Sequence, residues 1–264
     1  MIFINPQWQG SGVTDVLKKG AETFKQYFKT GFVEIPLSDG GLDTMNNIVA
    51  YEAIIEQAKY FKKIIEEANL STITTIGGDC AVEIMPISYL NKRLSGDLCV
   101  IYIDAHPDLN TPESSPSKAF HGMPLRTLLG EGDKQIKDLL FSFLHPQQIC
   151  FVGLRDADDP EKEYIEANNI TSLPSAEYYP VEQAINVKKF TNIYIHLDLD
   201  VLDREEFGFA MFPTGNGLPI QEVTQLIKNL KTNFKIAGIC VTESIATSPD
   251  LLTPIKGILD QVGL

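Results

Sequence analysis

Short apolar runs rich in β-branched residues alternate along the chain with segments whose apolar positions recur at helical spacing. This alternation predicts an α/β fold in which a mainly parallel sheet of about eight strands lies between two layers of helices. The predicted strands are 2–4, 32–37, 73–76, 98–104, 149–154, 170–173, 193–198 and 236–241. The predicted helices include 13–28, 43–69 with Asp43 or Thr44 as its N-cap, 219–230 and 254–262.

One predicted strand ends in a cluster of ionisable side chains. Asp104, His106 and Asp108 follow the apolar run 99–103 at positions i, i+2 and i+4. On extended chain these three side chains project to one side. Two carboxylates beside an imidazole at the end of a buried strand repel each other and are poorly solvated unless a positive charge lies between them. A divalent metal ion is the simplest such charge, and an acidic surface turn is the alternative.

A second strand repeats this arrangement. The apolar run that starts at residue 193 ends in Asp198 and Asp200, again at positions i and i+2. In an open α/β sheet the carboxyl ends of the strands meet at one crevice, where ligands bind. Carboxylates and an imidazole from two strand ends would then share one pocket, which is the ligand set of a carboxylate-bridged two-metal centre.

Three further residues lie near the same predicted edge. Cys80 follows the paired glycines of a strand-to-helix turn, which permit a tight turn and a close backbone approach. Glu243 ends the last predicted strand, and a single carboxylate beside so many others favours a functional role. His121 stands where the polar loop 110–121 returns to regular structure. The alternatives are a buried structural thiol for Cys80 and a structural role for His121.

The composition of the 264 residues narrows the class of protein. An apolar fraction of 44%, with no linker or change of composition, predicts one domain over residues 1–264. The net charge of −13 argues against nucleic acid and anionic membranes as partners. The sequence shows no secretory leader and no apolar run of membrane-spanning length, so we expect a cytoplasmic protein. The four cysteines have no CxxC spacing, and we expect the three in apolar runs, Cys99, Cys150 and Cys240, to be reduced core residues.

Three motifs occur together: Gly77-Gly78-Asp79, Asp104-Ala105-His106-x-Asp108 and Asp198-x-Asp200-x-x-Asp203. With them the chain resembles the ureohydrolases, the superfamily of arginase, agmatinase and formimidoylglutamase. The resemblance runs over nearly the whole chain from Gly77 onward. It implies an arginase-like three-layer α/β/α fold and an enzyme that cleaves guanidino or formimino groups of small molecules. The enzyme would use two divalent metal ions, for which manganese is the first choice. Family members are commonly trimers or hexamers, so the resemblance also implies a homo-oligomer.

The resemblance further implies which residues hold the metal ions. They are Cys80, Asp104, His106, Asp108, Asp198 and Asp200. Asp104 and Asp198 would bridge the two ions, with Cys80 and Asp108 on the first ion and the remaining two residues on the second. A bridging hydroxide, its pKa lowered by the two cations, would attack the amidine carbon and release an amine with urea or formamide.

Other positions match residues that act on the substrate. By resemblance, His121 is the proton shuttle and Glu243 is the carboxylate that pairs with the guanidinium. Asn110 and Ser117 match arginase residues that hold the carboxylate of the amino acid, and Asp158 would bind its α-amino group. These loops are closest to arginase and predict arginine or a near relative as the substrate. Formiminoglutamate and agmatine are the alternative substrates.

The chain departs from the family pattern at three positions. Cys80 stands where the family has histidine, and a thiolate favours zinc, iron or cobalt over manganese. His196 stands where serine is usual. It either forms hydrogen bonds behind the metal ligands or reflects a different packing of the core at this position. Glu243 is followed by Ser244-Ile-Ala rather than by an apolar residue and Asn-Pro. The change at Cys80 motivates a rival hypothesis, a catalytically silent relative that serves as a structural or regulatory subunit.

Overall fold

A computed structural model describes residues 1–28 and 31–262, and a single sheet of eight strands runs through it. The strands are β1 (Ile2–Asn5), β2 (Phe32–Glu34), β3 (Ile73–Gly77), β4 (Cys99–Ile103), β5 (Ile149–Val152), β6 (Thr171–Leu173), β7 (Asn192–Asp198) and β8 (Lys235–Thr242). They lie in the order β2-β1-β3-β8-β7-β4-β5-β6, and every pairing is parallel. The predicted eight-stranded α/β fold is confirmed.

Helices cover both faces of this sheet. They are α1 (Val16–Phe28), α2 (Tyr51–Ala68), α3 (Ile84–Arg93), α4 (Pro124–Leu128), α5 (Lys134–Lys137), α6 (Asp159–Ala167), α7 (Tyr178–Lys188), α8 (Ile220–Asn233) and α9 (Lys256–Gln261). The core between the sheet and α2 and α3 contains Tyr102 and Tyr194, while the opposite core, under α1, α7 and α8, contains Ile101 and Ile195. Central strands are therefore buried on both faces, which explains their uninterrupted apolar runs.

The first eight residues of one predicted helix are not helical. The segment 43–69 was expected to form a helix capped by Asp43 or Thr44, but α2 begins only at Tyr51. Met45 and Ile48 instead exchange backbone hydrogen bonds across a tight turn, and Asn46, Asn47 and Ala50 adopt positive φ. Left-handed backbone at these positions cannot continue a right-handed helix, so the cap prediction was wrong.

Two other boundaries differ from the prediction because of proline. The strand predicted for 32–37 ends at Glu34, although the Ile35 amide still donates to the Ile4 carbonyl at 2.8 Å. Pro36 has no amide hydrogen with which to extend the pairing. The helix predicted for 254–262 is split into a 3-10 segment, Pro249–Ile255, followed by α9. Among the described residues, no helix combines the length and apolar character needed to cross a membrane.

The candidate site residues follow the strand ends in irregular backbone. We expected Asp104, His106 and Asp108 to project from extended chain, but β4 ends at Ile103 and Asp108 has a φ of +52°. Asp198 is the last residue of β7, and Asp200 lies in a 3-10 turn, Leu199–Val201. The expectation of an extended i, i+2, i+4 arrangement was therefore wrong, and loop geometry brings the side chains together instead.

Candidate metal centre and substrate cavity

A cavity of about 260 Å³ opens at the carboxyl edge of the sheet. Its lining includes the predicted site residues Cys80, His106, Asp108, Asn110, Ser117, His121, Asp158, Asp198, Asp200 and Glu243. Asp104, which does not line the cavity, is buried beside it. The structure thus brings together residues from the ends of β3, β4, β7 and β8, and a cavity of this size suits a small molecule.

The Gly-Gly-Asp turn after β3 positions Cys80. Gly78 passes so close to the chain at Gln7 that a Cβ would lie 1.7 Å from the Gln7 carbonyl oxygen. Asp79 is buried and accepts hydrogen bonds from the amides of Gly10 and Ala81, at 2.8 and 3.0 Å. These contacts fix the start of the 3-10 turn Cys80–Glu83, so that the Cys80 thiol lies 3.0 Å from Oδ2 of Asp198.

Two groups of potential metal ligands share Asp104. In the buried group, one ligand atom each from Cys80, Asp104, His196 and Asp198 lies within 4.8 Å of the others. In the open group, one ligand atom each from Asp104, His106 and Asp200 also lies within 4.8 Å of the others. Nδ1 of His106 lies 2.8 Å from Oδ2 of Asp200. Five of the six predicted ligands therefore belong to these two groups.

Asp108, the sixth predicted ligand, belongs to neither group. Its Oδ2 accepts a hydrogen bond of 2.7 Å from the Tyr102 hydroxyl. Its backbone carbonyl accepts hydrogen bonds from the amides of Leu125 and Arg126, which hold the left-handed turn. Its side chain nevertheless lines the cavity, so a metal-binding role for Asp108 stays a prediction.

The electrostatics of the cluster favour a bound cation. Burial, followed by the charges of Asp200 and Asp104, raises the pKa of Asp198 well above its usual range. Burial and Asp104 likewise raise the pKa of Asp200 to about 7. Burial disfavours the charged form of His106, but its hydrogen bond with Asp200 raises its pKa to about 10. The positive charge of His106 does not offset the burial and mutual repulsion of these carboxylates, and the donor set fits divalent cations.

His121 and Glu243 lie side by side in the wall of the cavity. Their Nδ1 and Oε1 atoms are 3.5 Å apart, and although burial opposes it, this contact raises the pKa of His121 to about 9. Oε1 of Glu243 also accepts a hydrogen bond of 3.2 Å from the Cys80 amide. Oε2 is buried and has no hydrogen-bond partner in the part of the chain that the structure describes. The φ of Glu243 is +62°, a strained conformation of the kind found at functional sites.

The three residues predicted to hold the amino-acid part of the substrate lie around the mouth of the cavity. Nδ2 of Asn110 donates to Oδ2 of Asp158 at 2.9 Å. Asp158 is the N-cap of α6, and Glu161 closes a capping box by accepting a hydrogen bond from the Asp158 amide at 2.8 Å. The Ser117 hydroxyl accepts from the Ala119 amide at 3.2 Å and can still donate. The mouth therefore presents an acid, an amide and a hydroxyl together.

Several residues at the site were missed or left open by the sequence reasoning. The ring of Phe212 lies 4.9 Å from that of His121 and covers one side of the proposed proton shuttle. Arg155 donates to the carbonyls of Gly215 and Asp200, and so ties the chain at Gly215 to the open group. Glu83 contacts His196 behind the buried group. Phe212 and Glu83 have no local motif, and only contact between distant segments reveals their place at the site.

The fold and the cavity define a class: three-layer α/β proteins with carboxylate-rich candidate metal sites at the carboxyl edge of a parallel sheet. A sequence model of the Arginase family matches residues 14–249. The chain belongs to this family.

Relatives and solved structures agree with this assignment. An arginase from Staphylococcus aureus is 34% identical over 169 residues, 60% of this chain and 56% of that protein. An arginase from Entamoeba histolytica is 30% identical over 214 residues, 77% of this chain and 71% of that protein. The matched region thus spans just over half the length of the Staphylococcus relative.

The fold is shared over almost the whole chain. The structure of Entamoeba histolytica arginase in complex with L-ornithine has a TM-score of 0.88 at 22% identity, covering 100% of this chain and 97% of that one. Formimidoylglutamase from Bacillus subtilis has a TM-score of 0.70 at 17% identity, covering 97% of this chain and 86% of that one.

Proposed function

We propose that the protein is a metal-dependent amidinohydrolase that cleaves arginine or a closely related amidine into urea and an amine. The observation that carries this proposal is Glu243, a buried carboxylate with one unpaired oxygen that faces the same cavity as Cys80, His106 and Asp198. A guanidinium can donate hydrogen bonds to both oxygens of such a carboxylate. Glu243 would then hold the reacting carbon of the substrate beside the two ligand groups.

The ligand groups fit two divalent cations. Cys80, Asp104 and Asp198 would hold one ion, with Asp108 available to it from the cavity wall, and Asp104, His106 and Asp200 would hold the other. When bound, such ions supply a water molecule acidic enough to act as a nucleophile at neutral pH and polarise the group it attacks. Manganese suits the carboxylate-rich open group, whereas the thiol favours zinc, iron or cobalt in the buried group.

His121 and Glu243 supply the remaining chemistry. His121 is placed to donate a proton to the leaving amine, since its pKa of about 9 keeps the imidazolium populated at neutral pH. Glu243 fixes the position of that proton donor through the 3.5 Å contact, in addition to binding the guanidinium. Phe212 keeps water from one face of the imidazole.

The mouth of the cavity favours an α-amino acid as the substrate. Asp158 offers a negative charge to an ammonium group, and Asn110 and Ser117 offer donors to a carboxylate. L-ornithine, the ligand named for the Entamoeba structure, is the amine that remains when arginine loses urea. Agmatine keeps the ammonium group but has no carboxylate for Asn110 and Ser117 to hold, and formiminoglutamate would bring a carboxylate towards Asp158. These two amidines remain the alternative substrates.

The rival function is a catalytically silent subunit. The observation that favours it is the buried thiol of Cys80, whose pKa is raised well above its usual value by burial and by Asp198, so that the metal-free site resists forming the thiolate. We also propose a cytoplasmic location and assembly into a homo-oligomer, a trimer or hexamer, by analogy with the family.

A turnover screen tests the proposal. Anaerobically purified protein is supplied with Mn²⁺, Co²⁺, Zn²⁺ or Fe²⁺ and then with arginine, agmatine, guanidinobutyrate or formiminoglutamate, while urea, formamide and ammonia are measured. Release of urea from arginine is expected. Turnover of another amidine would retain the chemistry and correct the substrate, and no turnover with any combination would favour the silent subunit.

A further inference from the structure

His196 lies at the centre of the buried ligand group, in a part of the site that the proposed reaction does not use directly. It is fully buried in β7, on the same face of the strand as Tyr194 and beneath the turn Cys80–Glu83. Its Nε2 atom lies 3.1 Å from Oδ2 of Asp104. Its Nδ1 atom lies 2.8 Å from Oε1 of Glu83.

Glu83 lies directly against the imidazole of His196. It is fully buried, and neither of its carboxylate oxygens has a well-aligned hydrogen bond among the described residues. Burying a carboxylate in this way is costly unless a nearby group compensates its charge. The imidazole is that group: its Nδ1 atom lies beside Glu83, without a well-aligned hydrogen bond among the described residues, and its Nε2 atom lies beside Asp104.

The ring of His196 is also held in one plane. Tyr102, its register partner on β4, stacks on the imidazole with ring centroids 3.8 Å apart and an interplanar angle of 8°. The Tyr102 hydroxyl is in turn fixed by its 2.7 Å hydrogen bond to Asp108. Stacking on one side and the ion pair with Glu83 leave the Nε2 edge pointed at Asp104.

The separation of the four ligand atoms suits one small cation. In a tetrahedral site with bonds of about 2.0–2.3 Å, ligand atoms are roughly 3.3–3.8 Å apart. The measured 3.0 Å between Cys80 Sγ and Asp198 Oδ2, and 3.1 Å between His196 Nε2 and Asp104 Oδ2, are within a few tenths of an ångström of this range. All four atoms also lie within 4.8 Å of one another.

We infer that His196 is a direct ligand of the buried metal ion through Nε2, and that Glu83 positions it by accepting its Nδ1–H. The inference rests on the proposed function only in assuming that this cavity binds divalent cations. A carboxylate that holds the second nitrogen of a metal-binding histidine fixes its tautomer and raises its basicity. The buried ion would then have one sulfur, one nitrogen and two carboxylate ligands, a set that favours zinc, cobalt or iron over manganese.

Proton NMR of the Co²⁺-loaded protein tests this assignment without any measurement of turnover. Each histidine bound to Co²⁺ shows a strongly shifted resonance from its other ring N–H. We expect two such resonances, and they should differ in exchange with D₂O. The one from His106, whose side chain is 30% exposed, exchanges quickly, and the one from fully buried His196 exchanges at least tenfold more slowly.

Matched variants assign the two resonances. His196→Ala should remove the slow resonance, His106→Ala the fast one, and His145→Asn, at an exposed turn, neither of them. Glu83→Gln keeps the size of the side chain but removes the charge, and should shift the slow resonance and speed its exchange at least tenfold. If His196→Ala does not fold, the Glu83→Gln comparison decides the question.

A single shifted resonance that persists in His196→Ala, or one that Glu83→Gln leaves unchanged in position and exchange, would overturn the assignment. His196 would then be only an ion-pair partner of Asp104 and Glu83. The two proposals fail differently. Two resonances without turnover of any amidine would support His196 as a ligand and refute the hydrolase. Turnover with only one resonance would support the hydrolase and refute His196 as a ligand. A protein that binds no Co²⁺ would refute both proposals.

Discussion

The two ligand groups share Asp104 but differ in nearly every other respect. The open group holds its imidazole on a loop, with the His106 side chain 30% exposed and paired to Asp200. The buried group holds His196 in the middle of a strand, between Glu83 and Asp104, and adds the thiol of Cys80. The buried group therefore has the softer donor set, because it includes a thiol, and solvent reaches it less freely than the open group.

This difference suggests a division of labour. The open group, together with His121 and Glu243, faces the substrate mouth, where ligand exchange with water is needed. The buried group is closed by Tyr102 above the imidazole and by the turn that begins at Asp79. We expect it to bind its ion more tightly and to act as the fixed half of the centre.

Glu243→Gln breaks the link between the buried group and the substrate, since Glu243 contacts both the Cys80 amide and His121. Loss of the charge weakens guanidinium binding and lowers the pKa of His121 towards its usual value. We expect kcat/KM for arginine to fall roughly 10²–10³-fold with metal content unchanged. Glu113→Gln, in the exposed loop, is the matched control and should be silent. A loss of bound metal in Glu243→Gln would contradict this assignment.

Cys80→His makes the buried group more like the open one. Replacing the soft thiolate by an imidazole should lower the ratio of Zn²⁺ to Mn²⁺ affinity by roughly tenfold or more, about 1.4 kcal/mol, since thiolate ligands select zinc. Competition between the two ions, followed by equilibrium dialysis, measures this ratio. Cys150→Ser, in β5, removes a buried thiol elsewhere and should have no effect. An unchanged ratio in Cys80→His would exclude Cys80 from the ligands.

Asp158→Asn leaves both ligand groups intact and alters only the mouth. Because Asp158 is solvent-exposed, its pairing with a substrate ammonium is screened, and we expect KM for arginine to rise only about threefold to tenfold. The kcat for arginine and any turnover of guanidinobutyrate, which has a carboxylate but no amino group, should hardly change. Asp159→Asn, at the adjacent exposed position, is the control. An equal effect on arginine and guanidinobutyrate would rule out contact with the α-amino group.

The metal-free protein should lose stability as the pH rises. Burial and like charges raise the pKa of Asp198 and Asp108 well above the usual range and that of Asp200 to about 7, so above about pH 4 the folded chain holds protons that the unfolded chain releases. The pKa values of His106 and His196, raised to about 10 by their carboxylate partners against the effect of burial, act in the same direction. The contribution of these histidines is complete below about pH 6.5 and is lost as the pH approaches 10.

Thermal unfolding between pH 5.5 and 9 measures this loss. The unfolding midpoint of the metal-free protein should fall by several degrees over that range, while bound cations neutralise the carboxylates and flatten the profile of the loaded protein. A metal-free protein that becomes more stable as the pH rises would show that these carboxylates are already compensated by other groups.

Much of the fold was predictable because strand ends and apolar runs are local features. The positions of Asp104, His106, Asp198 and Asp200 follow directly from where the buried strands stop. The start of α2 was not predictable in this way, since Asn46, Asn47 and Ala50 adopt left-handed backbone that residue types alone indicate weakly. Local pattern thus located the edge of the sheet but not the turns leading to it.

The contacts of His196 illustrate what the sequence leaves undetermined. The sequence identified His196 as unusual but could not choose between a hydrogen-bonding group and a change in the core. The choice depends on Glu83 and Asp104, which lie far from His196 along the chain and meet it only when β7 packs beside β4 and under the turn after β3. The loop conformation of Asp108 is undetermined for the same reason, because the Tyr102 hydroxyl and the amides of Leu125 and Arg126 impose it.

The measurement that most directly tests the account is a Co²⁺ titration of the metal-free protein, followed by electronic absorption under anaerobic conditions. Two dissimilar sites predict a thiolate-to-cobalt charge-transfer band that rises over the first equivalent and is lost in Cys80→Ser. The second equivalent should then change only the ligand-field absorption. A titration that ends after one equivalent, or one that never shows the thiolate band, would contradict the central claim that this cavity holds two unlike metal ions.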